Sequence, residues 1–229
     1  MILTLRLDKV LKLIPKTKMV ADIGTDHAYL PISIIDTQKA EIVYAVDVNE
    51  KPLLSAQKNI KKFGYQNQIF TILSNGLEFM NGDVKTEIDY VTISGLGTQT
   101  ILNILKDDNN KIKNYIICSN TNITALRKWV VDNQYRIDFE DFFEDYNVNY
   151  WLVKIAKISN SNTISQQEIK FGEKKYFADN QFYKKYLLSE IDKIDKIIEN
   201  IESTKNNFQK VEDLKRQQQD IEVFLNEIK

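Results

Sequence analysis

Short runs of apolar and β-branched residues punctuate the first two thirds of the chain: MVADIG from Met19, EIVYAVDV from Glu41, QIFTIL from Gln68, EIDYVTISG from Glu87 and NYIICS from Asn114. Residues with helical spacing follow each run. Strand and helix alternating at this pitch predict a parallel sheet with crossover helices. An earlier helical stripe, Leu3, Leu7, Val10, Leu11 and Ile14, ends at Pro15 and is expected to pack on the sheet or cap it. Then the pattern changes. Tyr135–Phe143 and Val148–Ile158 alternate as strands with no helix between them, which predicts an antiparallel hairpin on the sheet's edge.

Beyond Ile158 the polar stretch SNSNTISQQ reads as a linker. Leu187, Ile191, Ile194, Ile198 and Ile201 are then spaced four, three, four, three, and Leu214, Gln218, Ile221, Leu225 and Ile228 repeat the seam with one polar interruption. With a turn at Ser203–Asn207, these residues predict an antiparallel helical hairpin whose arms are about 22–25 residues and roughly 35 Å long at the helical rise. The expected organisation is an α/β unit over residues 1–158 and a helical coiled-coil unit over 159–229. A coiled coil that only stiffens a dimer is the plainer alternative for the second unit.

Composition narrows the function classes. At 43% apolar and 28% charged the chain is expected to bury a packed core. Cys118 is the single cysteine and His27 the single histidine. Thiolate and imidazole metal cages are therefore excluded and no metal is expected, although carboxylates could still hold magnesium. Charges interrupt the N-terminal apolar stripe and no stretch approaches ~18 apolar residues, so a cytoplasmic, membrane-free protein is expected. The net charge of −1 gives no overall basic footprint for nucleic acid. Locally, residues 170–186 differ: Lys170, Lys174, Lys175, Lys184 and Lys185 face only Glu173 and Asp179, and six aromatic rings are interleaved with them. Such a segment suits RNA, lysines for phosphates and rings for bases, though some rings are expected to be core.

Ligands of doubly wound sheets bind at the carboxyl ends of the strands. The first strand ends in VADIGTDHAYLP, where Gly24 permits a sharp turn and close ligand approach, while the dinucleotide fingerprint would need glycines at the positions of Asp26 and Tyr29. An NAD-dependent oxidoreductase is disfavoured accordingly. Asp47, ending the second strand, could accept from a ribose diol or serve a helix cap. Asn75 and Gly76 after the third strand, and Ser94, Gly95 and Gly97 after the fourth, bring further glycine turns to the same edge.

Together RLxxV, VADIGTDHAYLP, AVDVNEKPLLSAQKNI, ISGLGTQTI and IICSNTNITALRKWV resemble the bacterial tRNA (adenine-22-N1)-methyltransferases over essentially the whole chain. The resemblance implies a Rossmann-like class I methyltransferase sheet, mostly parallel with an antiparallel edge hairpin, followed by a helical coiled-coil appendage. It implies S-adenosyl-L-methionine as cofactor, tRNA as partner, and methyl transfer to N1 of adenosine 22. Cofactor-side candidates are Asp22, Gly24, Thr25, His27, Asp47, Val48, Asn75, Gly76, Ser94 and Gly95. Asp26 is the catalytic candidate, with helix capping as its alternative role; His27 could instead simply pack. Arg6, Asn120, Arg127, Lys174, Lys175 and Lys184 are the substrate-side candidates, and a monomer is expected. The chain departs from the family pattern in three places: Gly95-Leu96-Gly97-Thr98 stands where G-M-G-G is usual, Asn75 replaces an acid, and Cys118-Ser119-Asn120 replaces Q-P-N. A small-molecule methyltransferase and a catalytically silent RNA-binding protein of the same fold are the competing functions.

Overall fold

A computed structural model describes residues 2–82, 86–159, 163–203 and 208–228. Helix α1 (Leu5–Leu13) begins at Thr4, whose side chain accepts from the Leu7 N–H. Strand β1 (Met19–Ile23), helix α2 (Tyr29–Asp36), strand β2 (Ile42–Asp47), helix α3 (Glu50–Phe63) and strand β3 (Ile69–Leu73) follow. Gly64, with φ +80°, ends α3 in a left-handed cap whose N–H bonds the Ile60 carbonyl. Next come β4 (Ile88–Leu96), α4 (Thr98–Ile104), β5 (Ile112–Ser119), α5 (Thr124–Asp132), β6 (Tyr135–Asp145) and β7 (Val148–Lys157).

The seven strands lie in the order β3-β2-β1-β4-β5-β7-β6. The first five pair in parallel; β7 runs antiparallel to both β5 and β6. The hairpin thus sits at the sheet's edge as its alternation predicts. Successive residues serve opposite faces: Tyr115 and Ile117 join one apolar cluster while Ile116 and Cys118 join the other. Residues of α1 to α3 belong to the second cluster, and residues of α4, α5 and the C-terminal helices belong to the first. Both faces are therefore covered, which is why the central strands read as continuous apolar runs.

The C-terminal part comprises α6 (Gln166–Phe171), opened by a Ser165/Glu168 capping box, α7 (Lys174–Phe177), and the long helices α8 (Gln181–Ser203) and α9 (Phe208–Glu227). Among the described residues helix α8 has 23 residues and α9 has 20. Leu187, Ile194, Ile198, Ile221 and Ile228 are buried as the seam requires, with Val211 and Phe224 added from outside it. The polar interruption is satisfied across the hairpin: Gln218 Nε2 donates to Asp195 Oδ1 at 2.6 Å. Part of the expected linker, residues 160–162, and most of the expected turn, residues 204–207, lie outside the described residues. The appendage packs on the edge hairpin, with Phe142 of β6 against Tyr183 and Tyr186 of α8 at ring separations of 5.2 and 5.1 Å. Among the described residues, no helix is long and apolar enough to cross a membrane.

Candidate active site

Parallel strands deliver their carboxyl ends to one edge, and four turns meet there. In the first, Gly24 has φ +77°, and the amides of Gly24 and Thr25 both donate to the Val46 carbonyl of the neighbouring strand. His27 and Ala28 follow at φ +59° and +55°, a left-handed pair unusual for residues carrying a Cβ. Strain of this kind persists only where surrounding contacts hold it. Asp26 does not cap α2: the cap position is Ala28, without a side-chain cap bond. Its exposed carboxylate instead meets His27 Nε2 at 3.2 Å. His27 Nδ1 lies 2.6 Å from Ser55 Oγ, and Asn59 Nδ2 donates to the His27 carbonyl at 3.0 Å.

Below this turn Asp22 is buried and accepts from the Thr92 hydroxyl at 2.7 Å. Burial pushes its carboxyl up to about 6, against the pull of that hydrogen bond. The Thr25 hydroxyl, equally enclosed, lies beside the same carboxyl and also counters the rise. At the second turn Asp47 is 9% exposed; its Oδ1 accepts from the Asn49 N–H at 2.8 Å, and Val48 beside it is exposed. One carboxylate oxygen is thus committed to the turn, and Oδ2 has no partner among the described residues.

At the third turn Gly76 has φ +58°, and a Cβ there would press on Ile104 at 3.1 Å. Asn75, standing where the family pattern has an acid, donates to Glu78 Oε1 at 2.7 Å. At the fourth, Gly95 has φ +84°, and a Cβ would lie 2.6 Å from Arg6 Nη1. The positive φ calls for glycine, and the absent Cβ leaves room for that guanidinium, which also donates to Ser94 Oγ at 2.6 Å. Arg6 is therefore carried from α1 onto the strand-end edge, where the sequence signal was weakest. Asn120 closes the group: its N–H donates to the Leu96 carbonyl at 3.2 Å and its side chain is exposed.

Two expectations are corrected. Arg127 is no surface residue: its side chain is 1% exposed, and Nε donates to Glu140 Oε1 at 2.7 Å, inside the joint between α5, β6 and α6. Nη1 donates to the Lys170 carbonyl at 3.1 Å. Enclosed there, with Nη2 buried and without a partner among the described residues, the guanidinium cannot reach an RNA phosphate. The basic segment is also less positive than its own residues suggest. Lys174 pairs with Glu227, Lys175 with Glu173 and Lys170 with Asp220, two of these acids coming from α9. Lys184 has no ion pair among the described residues. Of the rings, Phe171, Phe177 and Tyr183 are buried, and Phe182 is exposed.

Sequence reasoning passed over Ser55, Asn59 and Thr92. Ser55 and Asn59 are one helical turn apart on α3, a spacing that was visible but carried no chemistry until His27 was found beside it. Cys118 is buried and its thiol pushed up to about 12 by burial, so it offers no nucleophile.

Comparison with known proteins agrees with this geometry. A family model described as a methyltransferase domain matches residues 3–153. The structure of M. capricolum TrmK in complex with S-adenosyl-homocysteine superposes with a TM-score of 0.94 at 46% identity, over 100% of both chains. The B. subtilis m1A22 tRNA methyltransferase TrmK gives 0.86 at 25% identity, covering 98% of this chain and 99% of that one. The tRNA (adenine(22)-N(1))-methyltransferase of Bacillus subtilis (strain 168) is 32% identical over 146 residues, 62% of this chain and 60% of that protein's length. Glycine turns and acids at one sheet edge, a methyltransferase domain match and full-length similarity to a solved relative lead to one assignment: the chain belongs to the tRNA (adenine-22-N1)-methyltransferase family.

Proposed function

We propose that this protein methylates N1 of adenosine 22 in tRNA, using S-adenosylmethionine, as a cytoplasmic monomer without a metal. Residues 1–158 hold the cofactor and the target base, and residues 159–229 supply binding to the tRNA body. The observation that carries the reading is an exposed Asp26 carboxylate, free of any capping duty, beside a strand-end edge built from glycine turns.

The residues present fit the cofactor. Asp47 Oδ2 suits a ribose diol, the buried Thr25 hydroxyl and Asp22 suit a cationic amino-acid moiety, and the Gly24 turn, where a Cβ would meet only Leu96 at 3.9 Å, leaves room for ligand approach. When bound, S-adenosylmethionine supplies an electrophilic methyl group on a sulfonium. Adenine N1 bears an in-plane lone pair at neutral pH, so no residue has to remove a proton from it. Asp26 accepts from the exocyclic N6 amine, orients the base, and stabilises the positive charge that develops on it. Because N1 lies on the pairing edge, the nucleotide must be unpaired or flipped out to react. Asn120 stands at the same edge to meet the base, and Arg6, anchored by Ser94, is the nearby cation. For the tRNA body, Lys184 and exposed Phe182 on α8 are better placed than the paired Lys174 and Lys175.

The test is incubation with total tRNA and S-adenosylmethionine, followed by nucleoside mass spectrometry. 1-Methyladenosine at position 22 is the expected product. A tRNA pool that stays unmodified while a small molecule accepts the methyl group overturns the proposal.

A further inference from the structure

Helix α3 grips the Asp26 turn from outside it. Ser55 and Asn59, at i and i+4, both point their polar atoms to one residue: Ser55 Oγ to the His27 ring at 2.6 Å, and Asn59 Nδ2 to the His27 carbonyl at 3.0 Å. His27 in turn reaches Asp26 Oδ1 through Nε2 at 3.2 Å, and its ring stacks on Tyr29 at 5.4 Å. Serine, histidine and aspartate form one line of contacts.

The proton positions along that line follow from the donor inventory. Asp26 Oδ1 stands 3.2 Å from Nε2 as a charge contact, and its negative charge favours the ring form that carries the proton on Nε2. In the neutral ring Nδ1 then holds a lone pair, and the Ser55 hydroxyl must donate to it. That hydrogen bond reinforces the tautomer whose Nε2–H faces the Asp26 carboxylate. Asn59 acts on the main chain of the same residue. His27 and Ala28 both have positive φ, and the amide hydrogen bond to the His27 carbonyl helps keep this strained pair in place. Helix α3 starts at Glu50, three residues beyond Asp47, so the element that carries the cofactor-side turn also braces the substrate-side carboxylate.

We propose that Ser55 and Asn59 are positioning residues for methyl transfer: through His27, they fix the Asp26 carboxylate in the orientation that accepts the target base. The proposal rests on the reading that Asp26 contacts the base.

His27 is the only histidine, so protein labelled with 15N-histidine gives a single imidazole signal set. In the neutral wild-type ring, Nε2 is expected to be protonated and Nδ1 to be an unprotonated acceptor. In Ser55→Ala the Nδ1 resonance should move toward its value without a hydrogen bond, and Ser55→Thr should restore it. In parallel, kcat should fall about tenfold in Ser55→Ala and in Asn59→Ala with KM for S-adenosylmethionine unchanged, and recover in Ser55→Thr. A wild-type ring protonated on Nδ1 alone overturns the proposal, as does full kcat in Ser55→Ala when Asp26→Ala is inactive. If Asp26→Ala itself keeps full kcat while the Nδ1 signature is present, the role given to Asp26 fails and this positioning role falls with it.

Discussion

The hydroxyl groups of Thr98 and Ser119 lie 2.9 Å apart, both buried, one opening α4 and the other ending β5. These are two of the positions where the chain departs from its family's pattern, threonine for glycine and serine for proline. Thr98 Oγ1 also reaches the Asn122 carbonyl at 2.9 Å, and Ser119 Oγ accepts from the Thr121 N–H at 3.1 Å. The two departures therefore satisfy one another and the loop that carries Asn120. Removing one hydroxyl leaves the other's surroundings underpaired, so each alanine variant should lose about 1–3 kcal/mol. In the double variant the losses should fall short of their sum by about 0.5 kcal/mol or more. Urea denaturation of the four proteins measures this; strict additivity would show two independent sites.

Asp47→Ala should weaken S-adenosylmethionine at least about tenfold, because a carboxylate holding a ribose diol makes charge-assisted hydrogen bonds worth ~1.5–3 kcal/mol each. Calorimetry on the folded variant checks it. Unchanged affinity would assign Asp47 to the Asn49 turn alone.

Asp26→Ala should reduce kcat about 100-fold, equivalent to ~2.7 kcal/mol of transition-state stabilisation, and leave Tm unchanged. Stability should be indifferent because the side chain is exposed and caps no helix. A lowered Tm with full turnover would reverse the assignment.

The pH dependence of stability should carry the mark of Asp22. Its folded value, about 6, lies above the ordinary 3.8, so between these values the folded state binds more protons than the unfolded one. Stability from this group is fully present below the unfolded value of 3.8 and is lost as pH rises through about 6. The loss amounts to a few kcal/mol in the protein without ligand, at ~1.4 kcal/mol per unit. Asp22→Asn keeps an acceptor for Thr92 and should flatten this fall. Denaturation midpoints of both proteins from pH 4 to 7 decide it; parallel curves would refute the shift.

Arg127 and Lys184 should separate stability from tRNA binding. Arg127→Ala strands the buried Glu140 carboxylate and should cost about 3–5 kcal/mol of stability. Lys184→Gln should leave Tm alone and flatten the dependence of log tRNA affinity on log salt by at most about 0.7–0.9, the share of one phosphate contact. Filter binding across a salt series tests the latter. An unaltered slope would remove Lys184 from the RNA surface.

Local pattern was enough for the sheet, because period-2 and period-3.6 burial are properties of neighbouring residues. The apolar runs from Met19 to Ser119 became the parallel strands, the alternating Tyr135–Lys157 region became the antiparallel edge, and glycine after a strand marked the turns at Gly24, Gly76 and Gly95. The sequence alone therefore determined the fold class, the edge of the sheet where the glycine turns gather and the family. Partners distant in sequence could not be read that way. Arg127 looked like a surface cation until Glu140 and the α6 carbonyls enclosed it, and Lys174 looked free until Glu227 came back along α9. Ser55 had no visible role until α3 packed beside His27. Only the tertiary structure decided these roles, since desolvation and hydrogen-bond pairing depend on which elements meet, and no local spacing encodes that.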